Sequence, residues 1–454
     1  MHDGPTAPTE AIVHSPSPST RSIDEAHERA LEQRRITSGP IAVLTRLRTF
    51  ESLQYRDFLL IWLGQIGNSH AQWMDQITRG YLMYQLTGSP LELGTVNAAR
   101  ALPLLFFSVI AGAVADRQGR KMQLIVAQTT NMVLNAILAT LVVTHLVQPW
   151  HVYLTAVLAG CVQAFQQPAR QSMLSDLVPM RRIRNAVALN AMVINVARGL
   201  GPALAGLLIA WVGAGGSYAL QALLFAMSAL WTIQVQEPAH RLRGGAGGAG
   251  TPGELSILRS TAEGARYIWG DPTVRAIMLI VLVPSVLGQP YTSLLPVFAV
   301  DILHVGASGQ GVLLAAAGVG ALLGAIIVAS LGNAGRQGLL MLAGAMVFGF
   351  SIVGFASSTW FPLSLVLMAI NGLCNDSYNT QAQSLLQQHT PAELRGRVMG
   401  VYLMNRGTAP LGALLVGALA SAIGAPHAIA IMGSCCALLA VWAFVSRPQI
   451  RALG

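Results

Sequence analysis

The chain has 454 residues, of which 53% are hydrophobic and only 10% are charged, and its formal net charge at pH 7 is +9. A soluble protein carries roughly 25% charged residues, so this composition excludes an ordinary soluble domain and indicates many membrane crossings. The excess of basic residues is typical of the loops of such a protein, and it does not indicate a nucleic-acid partner.

Hydrophobic runs of about 20 residues, each long enough to cross a hydrocarbon core of roughly 30 Å, recur along the chain between short polar breaks. We therefore predict an all-α polytopic membrane protein with twelve transmembrane helices in two pseudo-symmetric six-helix bundles. The spans of the first bundle are Phe58–Leu86, Leu91–Ala115, Met122–Leu146, Val152–Leu174, Asn185–Val212 and Ser217–Val235. The spans of the second are Ala276–Val300, Ser308–Leu331, Gly338–Ala356, Phe361–Gln383, Val398–Ile423 and Pro426–Phe444.

The sequence between the spans divides the chain into five parts. These are an N-terminal tail (1–56), the first bundle (57–235), a linker with a surface helix (236–275), the second bundle (276–446) and a C-terminal tail (447–454). An internal repeat supports the division, because QSMLSDLVP at 171–179 aligns without gaps onto QSLLQQHTP at 383–391, at an offset of 212 residues. Both copies end an even-numbered span, so the two bundles are predicted to have the same topology.

The lysine and arginine residues outside the spans fall on one side of this topology. They lie in both tails, in the linker and in the loops after the second, fourth, eighth and tenth spans, whereas the loops on the other side contain none. Positive charge in short loops stays in the cytoplasm, so we expect both termini to be cytoplasmic.

Motifs for catalysis and metal binding are not found in the sequence. It contains no GxxxxGKS phosphate loop, no zinc-protease motif and no GxSxG motif. All four cysteines lie inside apolar spans, without a spacing to histidine that would suit a metal, and we interpret them as packing residues. We therefore expect neither an enzyme nor a metal site.

The most specific motif is the charged loop GAVADRQGRK at 112–121, between the second and third spans. Its first glycine allows close helix packing, its second permits a tight turn, and its aspartate offers a carboxylate to neighbouring arginines and helix N-termini. The residues concerned are Gly112, Asp116, Arg117, Gly119, Arg120 and Lys121.

This loop resembles the GxxxDRxGRK signature of the major facilitator superfamily at every fixed position. Further segments are similar to the branch that contains enterobactin exporters and macrolide-efflux proteins. They are GYLMYQLTGSPLELG from Gly80, AARALP from Ala98, QQPARQSMLSDLVP from Gln166, NVARGLGPALAG from Asn195 and LRGRVMGVYLMNRGTAPLGALLVGALA from Leu394. The resemblance covers residues 50–445 and implies the major facilitator fold.

The resemblance also implies a function and a setting. Members of that branch export siderophores or amphipathic drugs in exchange for protons, so it implies a small-molecule substrate, a proton gradient in place of a cofactor, and a monomer in the inner (plasma) membrane of a bacterium. It further implies that the 112–121 loop clasps the two halves on the cytoplasmic side when the cavity faces outward. The alternative is a charged turn that only fixes topology. The corresponding loop after the eighth span keeps Asn333 and Arg336 but lacks the acid.

The fifth span contains GPALAG at 201–206, which is similar to the GPxxGG pattern of drug antiporters, with Ala205 replacing a glycine. Its small residues permit close helix packing, and its proline bends the helix. The packing residues are Gly201, Pro202 and Gly206. This motif favours antiport.

Placing a charged side chain inside a membrane span costs at least about 2.5 kcal/mol of free energy, so each such residue is expected to be paired or functional. Asp75 and Asp376 are the acidic residues that lie deep in spans, and both are candidates for proton coupling. Asp75 lies four residues before Arg79, so a static ion pair is the alternative for it. Arg100 and Arg198 fall where the resembling branch also has arginine; they either pair with acids or an anionic substrate, or anchor to backbone carbonyls.

The first, fourth, seventh and tenth spans line the central cavity in the fold implied by the resemblance. Their amides and aromatic rings would suit a small amphipathic ligand. The candidates are Asn68, Gln72, Trp73, Gln76, Gln163, Phe165, Gln289, Tyr291, Asn375 and Tyr378.

The sequence therefore predicts a proton-coupled exporter that works by alternating access. An importer or a lipid-flipping protein on the same fold is the first alternative. A membrane sensor or assembly partner without transport activity is a more remote one.

Overall fold

The computed structural model describes residues 48–117, 119–236, 254–331, 336–451 and 453, without the side chains of a few positions, chiefly 108–117 and 254–261. The chain is helical, with no strand in these ranges. The first half contains a 3₁₀ turn, Arg48–Gln54, and helices α1 (Arg56–Thr87), α2 (Pro90–Arg117), α3 (Arg120–Val143), α4 (Pro149–Asp176) and α5 (Ile183–Gln234). Helix α6 (Glu254–Gly270) lies in the linker.

The second half contains six helical segments within the described ranges, some of them interrupted. They are α7 (Pro272–Ile302), α8 (Gly306–Leu331), α9 (Gln337–Ser357), α10 (Phe361–His389), α11 (Ala392–Met404 and Ala409–Ile423, joined by a 3₁₀ turn) and α12 (Ala425–Ser446), followed by the short α13 (Pro448–Arg451). Seven segments of the described chain are long and apolar enough to cross a membrane by length and composition. The count of twelve stays a prediction.

Helix α5 covers both the fifth and the sixth predicted spans. Gly213 has φ of 79° and ψ of 175°, a backbone conformation that favours glycine, so it breaks the helix into arms at 183–212 and 214–234. Along the second arm, Ser217 bonds Thr78 at 2.7 Å and Ser228 donates to the Gly64 carbonyl at 2.9 Å. This arm therefore runs antiparallel to α1, and the chain reverses at Gly213.

Helix α7 is irregular because its second part contains three prolines at intervals of six residues. Pro284, Pro290 and Pro296 each lack a backbone N–H, and π and 3₁₀ turns replace the regular helix from 284 to 294 and again from 298 to 302. The segment begins with a complete cap, since Asp271 Oδ1 accepts from Thr273 N at 2.8 Å. The backbone of α7 is thus well anchored at its start and irregular near its middle.

The two ends of the molecule differ. We call the end that holds residues 54–56, 119–120 and 176–183 the tail face, and the opposite end, which holds 87–90 and 302–306, the far face. At the tail face, the turn before α1 is attached to the start of α5. Glu51 forms an ion pair with Arg182, and Ser52 N donates to Asn185 Oδ1 at 3.0 Å. We call these contacts the first brace.

A second brace attaches linker helix α6 to the start of α11 and to the end of α10. Glu263 Oε2 lies 2.5 Å from Arg397 Nη1, and the Tyr267 hydroxyl donates to the His389 carbonyl at 3.4 Å. The offset of the sequence repeat, 212 residues, also relates Glu51 to Glu263. The two glutamates therefore correspond in the repeat, although their arginine partners do not. Each brace ties the segment before a half to that same half.

The halves contact each other through glycines near the far face. A Cβ atom at Gly94 of α2 would lie 2.3 Å from the Ala413 carbonyl of α11. A Cβ at Gly206 of α5 would lie 2.5 Å from the Ala307 carbonyl of α8. Beside them, the Tyr84 hydroxyl donates to the Asp301 carboxylate across the interface. Backbones this close leave no room for any other side chain at these positions, and we infer that these contacts close the far face.

We predict that Gly206→Ala opens the far face. The added methyl group would overlap the Ala307 carbonyl, so α5 and α8 must separate. Hydrogen exchange followed by mass spectrometry should show faster exchange at 300–310, and the melting temperature in detergent should fall by several degrees.

Gly400→Ala is the matched control, because no atom lies within 4 Å of a Cβ at Gly400 and alanine favours the helix by about 1 kcal/mol. It should leave exchange at the far face unchanged. A Gly206→Ala protein with wild-type exchange and melting would contradict the proposed seal.

Candidate functional site

A cavity of about 560 Å³ lies between the two halves, a size typical of sites for drug-sized molecules. Residues from both halves form its wall, so its shape depends on how the halves are arranged. The polar and aromatic lining residues from the first half are Trp73, Gln76, Asn97 and Arg198; those from the second half are Ser285, Gln289, Tyr291, Thr292, Ser293, Asn371, Asn375, Asp376, Tyr378, Asn379, Tyr402 and Asn405.

The amides of the second half hold one another in place. Gln289 Nε2 donates to Asn375 Oδ1 at 2.8 Å, and Asn379 Nδ2 donates to the same oxygen at 3.0 Å. The Tyr291 hydroxyl donates to Asn371 Oδ1 at 2.9 Å. These bonds join the irregular part of α7 to α10, so this part of the wall is a preorganised polar surface.

The far end of the cavity is closed by a contact between the halves. Asn97 Nδ2 of α2 donates to Ser293 Oγ of α7 at 3.3 Å. Ser293 lies in the 3₁₀ turn that follows Pro290, so the break in α7 places this hydroxyl against α2.

Two opposite charges face each other across the cavity. Arg198 Nη1, on α5 of the first half, lies 3.9 Å from Asp376 Oδ1, on α10 of the second half. The side chains are 39% and 32% exposed, so both remain open to the cavity. The guanidinium carbon of Arg198 lies 5.5 Å from the centroid of the Trp73 ring, within cation–π range. This ion pair links the two halves by electrostatic attraction.

The other deep carboxylate, Asp75, has a different environment inside the first half. Its side chain is 6% exposed, Oδ1 lies 2.9 Å from Arg79 Nη2, and Oδ2 lies 2.7 Å from Arg100 Nη1. Arg79 Nη1 also donates to the Val152 carbonyl at 3.0 Å and to Thr155 Oγ1 at 2.9 Å. Asp75 is thus an ion-paired carboxylate that joins α1, α2 and, through Arg79, α4.

The sequence-based cavity candidates divide into two groups. Trp73, Gln76, Gln289, Tyr291, Asn375 and Tyr378 line the cavity. The other four lie away from it. Gln166 Nε2 donates to Asn68 Oδ1 at 2.7 Å, Gln72 and Gln163 border a small polar pocket beside Asp75, and Phe165 packs against Phe107 with ring centroids 6.2 Å apart.

Some lining residues were missed by the sequence analysis. Asn97 lies on α2 and Asn405 on α11, two helices that were not assigned to the cavity wall. Each is an asparagine within a predicted membrane span, and that signal could have identified them.

The glycines of the GPALAG motif pack against two different helices. A Cβ at Gly201 would lie 2.8 Å from Trp73 Cβ on α1, whereas Gly206 packs against α8 of the other half. Pro202 lies between them and lines the cavity. The motif is therefore part of the contact surface of α5 with both α1 and α8.

The 112–121 loop is described in part. Arg120 Nη1 lies 2.7 Å from Asp176 Oδ2 at the end of α4, Gly119 precedes the first residue of α3, and Lys121 is half-buried. The side chains of Asp116 and Arg117, and the contacts of Gly112, lie outside the described part, as does Asn333 in the second loop. Within the described residues, no group of three His, Cys, Asp or Glu side chains could hold a metal ion.

Comparisons with known proteins agree with this architecture. A family model described as "Transmembrane secretion effector" matches residues 48–453. The chain is 31% identical over 385 residues to the multidrug efflux pump Tap of Mycolicibacterium fortuitum, covering 82% of this chain and 91% of that protein. It is 26% identical over 401 residues to the staphyloferrin A transporter of Staphylococcus aureus, covering 88% and 96%.

Solved structures with the same fold include a bacterial homologue of the human lysosomal transporter Spinster, with a TM-score of 0.65, 14% identity and coverage of 87% of this chain and 95% of that one. The nucleoside transporter NupG gives a TM-score of 0.64 at 14% identity, with coverage of 86% and 98%. The predicted all-α fold is confirmed. With its family match over residues 48–453 and a cavity between two helical halves, the chain belongs to the major facilitator superfamily and is a membrane transporter of the branch that includes a staphyloferrin A transporter and a multidrug efflux pump.

Proposed function

We propose that this protein exports a small amphipathic molecule, a drug or a siderophore, in exchange for protons. The observation that carries the proposal is the Arg198–Asp376 pair, whose two charges lie 3.9 Å apart on opposite halves at the wall of the cavity. A proton on Asp376 would cancel its charge and remove its attraction to Arg198, so proton binding would act directly on the contact between the halves.

The contacts at the far face support a mechanism of alternating access. The cavity is closed at that end by the Asn97–Ser293 bond and by the glycine contacts around Gly94 and Gly206. Rocking of the halves would break these contacts and open the cavity at the far face. We propose that the 112–121 loop, with Asp116, Arg117 and Arg120, then clasps the tail face.

Asp376 suits the role of proton carrier better than Asp75 does. Asp376 faces the cavity, which gives protons a path to it, whereas Asp75 is buried and both of its oxygens accept from guanidinium groups. The other charged or titratable residues on the cavity wall are Arg198, Tyr291, Tyr378 and Tyr402. Asp376 is the single carboxylate among the described lining residues.

The composition of the wall supports an amphipathic substrate. Amides such as Gln289 and Asn375 would bind polar groups, while Trp73 and Tyr402 offer aromatic surface. Two relatives are a multidrug efflux pump and a staphyloferrin A transporter. Their names support a drug or a siderophore as the substrate, and they favour export as the direction of transport. We propose a monomer in the bacterial plasma membrane, with the tail face and both termini in the cytoplasm, that uses the proton gradient and no cofactor.

Asp376→Asn should abolish export while the protein still folds. Removing the charge would remove both the proton site and the pair with Arg198. The measurement is the accumulation of a macrolide, a cationic dye and a catecholate siderophore in efflux-deficient cells, with and without a protonophore. Wild type should lower the accumulation of at least one class by several-fold, and this effect should disappear with the protonophore.

Glu393→Gln serves as the control, because it removes an exposed carboxylate outside the cavity wall and should export normally. Equal accumulation in wild-type and empty cells across the panel, or export that survives the protonophore, would rule out proton-driven efflux of these classes.

Asp75→Asn should instead destabilise the protein. It would leave Arg79 and Arg100 as two buried guanidiniums without their carboxylate, and breaking a buried ion pair in this way costs about 3–5 kcal/mol. We expect a markedly lower melting temperature and yield for Asp75→Asn, and a smaller decrease for Asp376→Asn, whose side chain is 32% exposed. An Asp75→Asn protein that melts like wild type but no longer couples export to protons would transfer the proton-carrier role to Asp75.

A further inference from the structure

The ion-paired centre around Asp75 carries an excess of positive charge. Arg79 and Arg100 both bond its carboxylate, at 2.9 Å and 2.7 Å, so two guanidiniums share one negative charge. The side chains of Asp75 and Arg79 are almost completely buried, and that of Arg100 is 22% exposed. An excess charge inside a membrane span is costly unless a counter-charge compensates it.

The hydrogen-bonding capacity that is left over belongs to Arg100. Arg79 makes four hydrogen bonds, to both oxygens of Asp75 and to two groups on α4. Arg100 donates from Nη1 to Asp75 Oδ2, and its side chain makes no second hydrogen bond to the described residues. A guanidinium has five N–H donors, so Arg100 can bind a further acceptor.

A cavity of about 10 Å³ adjoins these three charged groups inside the first half. It has room for a single occupant about as large as a water molecule. Asp75 is the single carboxylate among the described residues of its wall, and none of those residues also lines the central cavity. The apolar part of the wall consists of Leu134, Ala159 and Phe225.

Amide groups on α3 and α4 form much of the polar wall. The side chains of Asn131 and Gln163 make no hydrogen bond to the described residues, so each can turn an N–H group toward the cavity. Asn135 Nδ2 donates to the Asn131 carbonyl at 2.7 Å, and its Oδ1 is buried without a partner. This acceptor suits a water molecule, whereas the excess positive charge and the available donors suit an anion.

We infer that the first half binds one chloride ion in this cavity, held by the guanidinium of Arg100 and the amides of Asn131 and Gln163. An anion neutralises the excess charge of the centre, which a water molecule cannot do. The size of the cavity restricts the anion to a single atom, and its apolar walls strengthen the attraction between opposite charges. This site lies apart from the central cavity and does not depend on the proposed function.

The melting temperature of the purified full chain in detergent tests this site. At fixed pH and ionic strength, replacing gluconate with chloride should raise the melting temperature by several degrees, and the effect should saturate with chloride concentration. Gluconate is too large for the cavity. Iodide should stabilise less than chloride because it is larger, whereas non-specific binding to exposed cations would favour iodide, the more weakly hydrated ion.

Two substitutions in the centre should change the chloride-dependent shift in opposite directions. Arg100→Gln removes the excess charge and leaves Asp75 paired with Arg79, so the shift should disappear. Asp75→Asn leaves both guanidiniums, so the shift should grow, and chloride should recover part of the melting temperature that this variant loses. If Asp75→Asn does not fold, Gln163→Leu takes its place, and the loss of one amide donor should reduce the shift.

Arg198→Gln is the matched control, because it removes an arginine from the central cavity and should keep the wild-type chloride shift. Loss of the shift in this variant, with an unchanged shift in Arg100→Gln, would refute the inference and move the anion to the central cavity. Equal melting of the wild type in chloride and gluconate would also overturn it, and would identify water as the occupant. Since no transport is measured, these outcomes stay separate from those that test the proposed export.

Discussion

A lipid bilayer offers no hydrogen-bond partner to a polar group, so a polar side chain in the membrane must be satisfied by the protein or face an internal cavity. Under this constraint, the charged residues within the spans fall into two groups. Asp75, Arg79 and Arg100 satisfy one another inside the first half, together with the Val152 carbonyl. Arg198 and Asp376 lie 3.9 Å apart on opposite halves, and both lie on the cavity wall. The first group stabilises one half, whereas the second pair is exposed to the cavity, where a proton or a ligand can reach it.

The same constraint governs the backbone. Regular helix is lost where α7 and α11 border the cavity, at Pro284–Leu294 and Asn405–Thr408. Where the halves touch directly, near Gly94 and Gly206, the helices are regular and their backbones are in close contact. Irregular backbone groups can be satisfied by water in a cavity but not by lipid. The proline pattern of α7 therefore determines where the polar surface of the wall lies.

The sequence was sufficient to predict the fold class, because long apolar runs and a charged loop at 112–121 are strong local signals. It also identified Asp376 and Arg198 as charges that needed an explanation. It could not predict which side of each helix faces the cavity. A rotation of one residue, about 100° around a helix, separates Gln72, which lies beside Asp75, from Trp73, which lines the cavity. Such rotations are set by contacts between helices, such as Gly201 against Trp73, that span more than a hundred residues of sequence.

The two braces indicate that the repeated unit of this protein includes residues ahead of its first transmembrane helix. Glu51 and Glu263 occupy equivalent positions ahead of the first helix of each half, and each forms an ion pair with the start of that half's fifth helix. The correspondence of these two glutamates extends the sequence repeat to the segment that precedes each half. Linker helix α6 holds the second of them, so it stands before the second half as the turn at Arg48–Gln54 stands before the first. A break in the chain within the glycine-rich sequence 243–253 would therefore leave two halves, each carrying its own brace.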